Sequence, residues 1–270
     1  MEQQASSATG WDCHVHVFAG SAVAQGAHYA PVPRPLSEIE ALAQAHGFGH
    51  LVLVQPSVYG GDNSLLLDAL RGSKGRHRGV VVLRGDEGEE ELAAMDAAGV
   101  RGIRFNLVSP VGSDRGSVQE QLVRFAPVLR QLRWHVQFYA RPQDLPVIAR
   151  LQVPLDLPFV LDHLAGLDVE HAEYMSGWNA LEALASRGSW IKLSGWYRLG
   201  AQAPYDAVLP LVRRVAAVFG ERMVWGSDWP HTSFAPDALP AYDSVWTPVV
   251  QALGADAAEW IRQAGVRLYA

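Results

Sequence analysis

A chain of 270 residues that is 49% hydrophobic has material for one large α/β domain or two small ones, and reads as neither disordered nor coiled-coil. Its formal charge of −6, with 22 basic residues scattered along the chain, offers no field for nucleic acid or an anionic membrane, so a small-molecule protein is expected. The opening MEQQASSATG lacks a signal peptide's positive start and apolar run, no later stretch reaches transmembrane length, and the single cysteine, Cys13, excludes an internal disulfide or thiolate cluster. A cytoplasmic location is expected, with residues 1–10 a flexible N-terminus.

The first element is WDCHVHVF, 11–18. In an extended strand alternate side chains share a face, so Asp12, His14 and His16 are expected on one side and Cys13, Val15 and Val17 on the other. Cys13 then reads as a buried structural thiol. Further apolar, β-branched runs follow: HLVLVQ 50–55, RGVVVL 78–83, GIRFNL 102–107, HVQFYA 135–140, PFVLDH 158–163, WIKLSG 190–195 and RMVWGSD 222–228. Helix-length amphipathic stretches separate them, among them 36–47, 64–72, 89–99, 118–132 and 205–220, several of which end at Gly. Eight strand and helix units predict a single-domain (β/α)8 TIM barrel over 1–270. An open doubly wound sheet is the alternative, but no GxGxxG follows the first strand. Proline-rich YAPVPRPLS, 29–37, reads as a rigid loop.

Sorted by parity, one face of nearly every strand is aliphatic: Val15, Val52, Val54, Val81, Leu83, Ile103, Phe105, Val136, Phe138, Ile191 and Leu193. The other collects polar residues toward the C-terminal ends: His14, His16, Gln55, Ser57, Arg104, Asn106, Gln137, Tyr139, His163, Lys192, Ser194 and Asp228. In a barrel the aliphatic face packs on helices and the polar face lines the interior below the C-terminal rim, where active sites of this fold sit. Three imidazoles and one carboxylate from the first, sixth and eighth strands suit a divalent ion, or a general base toward water flanked by histidines. Lys192 is expected as a buried ion-pair partner, with Asp12 as candidate, rather than as a nucleophile.

The segments DCHVHVF, VQPSVYGGDNSLLLDAL, GVRGIRFNL, LDHLAG, IKLSGWYR and WGSDWPH resemble the amidohydrolase superfamily, and within it the lactonase branch that includes 2-pyrone-4,6-dicarboxylate lactonase; the resemblance runs from about residue 11 to 269. It implies a hydrolase that opens a small carboxylated lactone, with Asp228 taking a proton from water and His14, His16 and His163 gathered around the carbonyl. It further implies that Arg104 and Arg198 hold substrate carboxylates, with Tyr29, Ser57 and Tyr139 as additional polar contacts. Metal use differs within the branch, and no cofactor is favoured. The alternative is one zinc or manganese ion on His14, His16, Asp228 and His163. A binuclear site is not expected, because the middle-strand lysine that bridges two metals elsewhere in the superfamily is missing.

Two departures stand out. Pro110 occupies the position of a second arginine, and Arg115 is the nearby candidate to replace it. The C-terminal AGVRLYA lacks the usual Asn-Pro before RLY, which bears on packing. The expected partner is a small anionic lactone, and a homo-oligomer stays open. Two readings compete with the lactonase: a metal-dependent decarboxylase or amide hydrolase of the same superfamily, and a barrel that binds a ligand without turnover.

Overall fold

The computed structural model describes residues 8–20, 23–114, 116–168 and 175–270. Eight parallel strands follow one another around one sheet: β1 (Gly10–Val15), β2 (Phe48–Val54), β3 (Arg78–Val81), β4 (Val100–Asn106), β5 (His135–Tyr139), β6 (Phe159–Leu161), β7 (Trp190–Leu193) and β8 (Met223–Trp225). Helices α1 (Leu36–Ala45), α2 (Ser64–Gly72), α3 (Glu89–Ala98), α4 (Val118–Leu132), α5 (Leu145–Gln152), α6 (Met175–Ser186) and α7 (Leu209–Phe219) carry the chain between strands. After β8 come α8 (Tyr242–Leu253), α9 (Ala255–Gln263) and α10 (Gly265–Tyr269). This is the expected (β/α)8 barrel. Among the described residues no helix is long and apolar enough to cross a membrane. Residues 1–7 and Arg115 lie outside the described residues, while Gly10, expected in a flexible terminus, is buried and opens β1.

The β8 to β1 seam closes above the end of β8. The Asp228 N–H donates to the His14 carbonyl at 2.9 Å, and the His16 N–H donates to the Trp229 carbonyl at 2.9 Å. The loop bearing Asp228 is therefore stitched to the strand bearing the histidines. Gly226 makes the approach feasible, since a Cβ there would stand 2.4 Å from the His14 Cβ.

Simple alternation fails on the first two strands. Asp12 pairs with Leu51 and Val15 with Leu53, so Cys13 and His14 together oppose Val52: β1 carries a bulge. The extra residue puts Asp12 on the outer side, away from the histidines. Its carboxylate accepts the N–H of Ser227 at 2.9 Å, the N–H of His14 at 3.2 Å and the hydroxyl of Tyr242 on α8 at 2.8 Å. Burial pushes this carboxyl up to about 6 despite those bonds. Cys13 instead joins Trp11, Val52, Val54, Val80, Val224 and Tyr269 in an apolar cluster beneath the site. Val52 and Val54 thus belong to that cluster, and it is Leu51 and Leu53 that pack with the helices. Gln55 follows the outer parity, its amide bonded to the carbonyls of Gly60 at 3.1 Å and Asp62 at 2.7 Å. Elsewhere the expected aliphatic face does pack on the helices, as Val15, Val81, Leu83, Ile103, Phe105, Val136, Phe138, Ile191 and Leu193 show.

Candidate active site

The C-terminal ends of the strands place one carboxylate oxygen among three imidazoles. Asp228 Oδ1 lies 3.5 Å from Nε2 of His16, 3.7 Å from Nε2 of His14 and 4.0 Å from Nε2 of His163. All four side chains are buried. Two of them stand on strained backbone: Asp228 has φ 62° and His163 φ 49°, left-handed values that non-glycine residues seldom adopt and that cluster at functional sites. Gly195, just after β7, clears space for His163, because a Cβ there would lie 2.5 Å from its Nδ1.

The two oxygens of Asp228 differ. Oδ2 accepts from the Tyr197 hydroxyl and from Arg198 Nε at 2.6 Å. Oδ1 is buried without a hydrogen-bond partner, as is His14 Nε2 facing it. Burial acts to raise the Asp228 carboxyl, but the Arg198 guanidinium, reinforced by the histidines, holds it well below the usual range. Burial brings His163 down to about 4 and holds His14 well below its ordinary value.

Hydrogen bonding constrains which ring nitrogens are bare. His16 Nδ1 is 2.8 Å from the Val54 carbonyl, which can only accept, so Nδ1 carries a proton and Nε2 is the ring nitrogen turned to the site. His163 Nδ1 is 2.8 Å from Ser194 Oγ, which can donate or accept. Ligand atoms of His14, His163 and Asp228 lie within 4.8 Å of one another. With Oδ1 and His14 Nε2 unpartnered, this mixed nitrogen and oxygen set fits a single divalent ion.

Beneath the histidines lies a second, fully buried carboxylate that parity reasoning did not single out. Asp162 Oδ2 accepts from Arg104 Nε at 3.0 Å and Gln137 Nε2 at 3.0 Å, while Oδ1 is 3.2 Å from His14 Nδ1 and 3.5 Å from Lys192 Nζ. Lys192 also donates to Gln137 Oε1 at 2.7 Å. Lys192 is thus a buried ion-pair partner, as expected, but of Asp162 and not Asp12. Burial raises the Asp162 carboxyl, and His14, Lys192 and Arg104 together overcome this and hold it well below its usual value.

Above Asp228 opens a cavity with about 360 Å³ of open space, lined by His16, His28, Tyr29, Ser57, Arg104, Asn106, Ser109, Tyr139, His163, Arg198, Asp228 and Thr232, with Pro56 the apolar residue of the lining. The wall therefore collects every expected contact residue among those described. Arg198 spans from Asp228 to Thr232 Oγ1 at 3.3 Å, and Arg104 stacks 5.4 Å over the Tyr139 ring. After β4 the chain folds back on Asn106, whose side-chain Nδ2 donates to Ser109 Oγ at 2.9 Å and whose side-chain Oδ1 accepts the N–H groups of Val108 and Ser109. This turn sets Ser109, next to Pro110, in the cavity wall.

Residues 11–263 match the family described as Amidohydrolase. The chain belongs to the amidohydrolase family. It is 32% identical over 237 residues to the 4-sulfomuconolactone hydrolase of Rhizobium radiobacter, covering 85% of this chain and 79% of that one. It is also 32% identical over 243 residues to the 2-pyrone-4,6-dicarboxylate hydrolase of Comamonas testosteroni, again covering 85% and 79%. Among solved structures, a candidate 2-pyrone-4,6-dicarboxylic acid hydrolase from Pseudomonas putida superposes with a TM-score of 0.84 at 32% identity over 97% of each chain.

Several working parts of this amidohydrolase escaped the sequence reading. Asp162 sits beside His163 in LDH, and its value as a hub depends on long-range partners on β4, β5 and β7. Tyr197, adjoining Arg198, bonds Asp228 Oδ2 through its hydroxyl. His231 of WPH is buried with both ring nitrogens unpartnered and φ 59°, its ring 5.9 Å from that of Tyr197.

Proposed function

We propose that this amidohydrolase opens a small carboxylated lactone by base-assisted attack of water on the ring carbonyl, as one barrel unit. The observation that carries the reading is Asp228 Oδ1: a buried, unpartnered carboxylate oxygen ringed by three imidazoles at the floor of a cavity bearing two arginines. Water held at Oδ1 gives it a proton, the resulting hydroxide adds to the carbonyl carbon, and the ring C–O bond breaks. The proton then returns from Asp228 to the departing ring oxygen, so that lactone and water become one hydroxy acid. Arg104 and Arg198 hold carboxylate substituents through charge-assisted hydrogen bonds, and Tyr29, Ser57 and Tyr139 orient the ring. Arg115, outside the described residues, is retained as a further substrate contact. The names of the relatives, hydrolases of 4-sulfomuconolactone and 2-pyrone-4,6-dicarboxylate, support the substrate class.

His14, His163 and Asp228, with His16 alongside, are the residues that would hold a zinc or manganese ion, which would polarise the carbonyl as a Lewis acid. Without an ion, polarisation requires an Nε2–H directed at the carbonyl. His163 can present one when its Nδ1 accepts from Ser194. Asp228 and the arginines keep their tasks in either case.

The test is a panel of lactones with and without carboxylate or sulfonate groups, assayed by proton release, alongside metal analysis of the purified protein. Opening of anionic lactones by the wild type and its loss in Asp228→Asn is the expected result. Release of carbon dioxide, or hydrolysis confined to amides, would replace this reading.

A further inference from the structure

Arg198 is committed twice. Its Nε bonds Asp228 Oδ2 at 2.6 Å, its guanidinium faces the substrate cavity, and NH2 reaches Thr232. Tyr197 bonds the same oxygen of Asp228. A carboxylate whose outer oxygen accepts from both a guanidinium and a phenol is stabilised as the anion and is a weaker base toward a water on its inner oxygen. The cavity in which an anionic lactone is proposed to bind therefore holds its carboxylate under restraint.

We propose that Arg198 is a substrate-operated restraint: it holds Asp228 until a carboxylate on the lactone competes for the guanidinium, and that exchange frees the base for the proton transfer. The inference rests on the lactonase reading above and adds that an anionic substituent is needed for turnover as well as for affinity. Two structural features make the exchange feasible. Asp228 is fixed independently by its backbone bond to the His14 carbonyl, so it stays in place when the guanidinium turns away. Arg198 sits in a short turn just after β7 with its side chain 18% exposed, whereas Asp228 is fully buried; the arginine is the partner with room to move. Arg104 is placed differently, since its Nε is bound to Asp162 and it makes no bond to Asp228. It binds substrate without touching the base.

The experiment uses a lactone carboxylate that the wild type opens, its neutral carboxamide counterpart, and acetate as an added anion. With the wild type, acetate is expected to raise turnover of the carboxamide saturably, on the order of tenfold, because it takes the place of the missing carboxylate on the guanidinium. Arg198→Met is expected to open the carboxamide faster than the wild type, to open the carboxylate more slowly, and to ignore acetate. Absence of acetate activation in the wild type overturns the proposal, and does so even if the variant fails to fold. So does an Arg198→Met protein that loses turnover on both substrates alike, or that shows only a raised KM for the carboxylate. If no lactone carboxylate is opened by the wild type, the lactonase reading itself falls and takes the proposal with it.

Discussion

Asp162→Asn tests whether the charges under the site are held by one group. The substitution keeps the shape but replaces the acceptor that serves Arg104 and Gln137 at 3.0 Å and stands 3.5 Å from Lys192, all within a fully buried network. An amide presents two N–H donors on one side, toward neighbours that include the donors of Arg104, Gln137 and Lys192. Removing one partner from a buried ion pair leaves charge without compensation, which costs about 3–5 kcal/mol. At about 2–4 °C per kcal/mol for a chain of this size, the melting temperature should fall by roughly 6–20 °C. Lys192→Met should cost less, because Asp162 keeps Arg104 and Gln137. The double variant should recover part of the Asp162→Asn loss, since one stranded cation has gone with the anion. Because the folded Asp162 carboxyl is held below its unfolded value of about 3.9, its contribution is complete above that pH and is lost as the pH falls through the folded value. The gap between wild type and Asp162→Asn should therefore persist from pH 5 to 8 and narrow below about pH 4. Thermal and urea denaturation measure both. A loss under about 1 kcal/mol, or a Lys192→Met variant damaged as badly as Asp162→Asn, would refute the hub argument.

Asp228→Asn removes the proton acceptor and should lower lactone hydrolysis by about 10²–10⁴-fold with little change in KM; activity within threefold of wild type, read in a proton-release assay, would rule out the base. Arg104→Met should weaken anionic lactones by about 1.5–3 kcal/mol in kcat/KM and affect neutral ones less, and equal losses on both would assign Arg104 to holding Asp162 alone. Gly195→Ala forces a residue with φ 62° to carry a Cβ against His163 Nδ1, so His163 should shift from Ser194, with a stability cost of about 1–3 kcal/mol and a fall in turnover. Normal activity in that variant would show that the ring position is not critical. Zinc added to dialysed protein should bind at about one ion per chain and raise the melting temperature, with Asp228→Asn abolishing the uptake; calorimetry showing none would leave polarisation to the imidazoles.

How far the sequence carried can be judged from β1. Eight apolar runs spaced by helical stretches made a parallel sheet covered on both faces legible, and the lack of a GxGxxG after the first strand favoured the barrel over an open sheet. The convergence of His14, His16, His163 and Asp228 followed from strand order alone, since closure makes the first and last strands neighbours. Strict alternation, however, cannot anticipate a bulge. The extra residue at Cys13 and His14 carried Asp12 to the outer side, and β2 took the opposite parity, so Val52 and Val54 went inward and Gln55 outward. Partner identity was equally hidden. Lys192 was legible as a buried cation, but whether it met Asp12 or Asp162 depended on that one-residue shift, because a single added residue reverses every inward and outward assignment on one side of it. The same bulge turns His14 inward next to an inward Cys13, seating its ring with Nδ1 against Asp162 and Nε2 against Asp228. A regular strand with Asp12 inward would have put a carboxylate under the site on β1 itself. In this chain β6 supplies it instead, one residue before His163, so that a single turn sets both the anion that orients His14 and the third imidazole of the site.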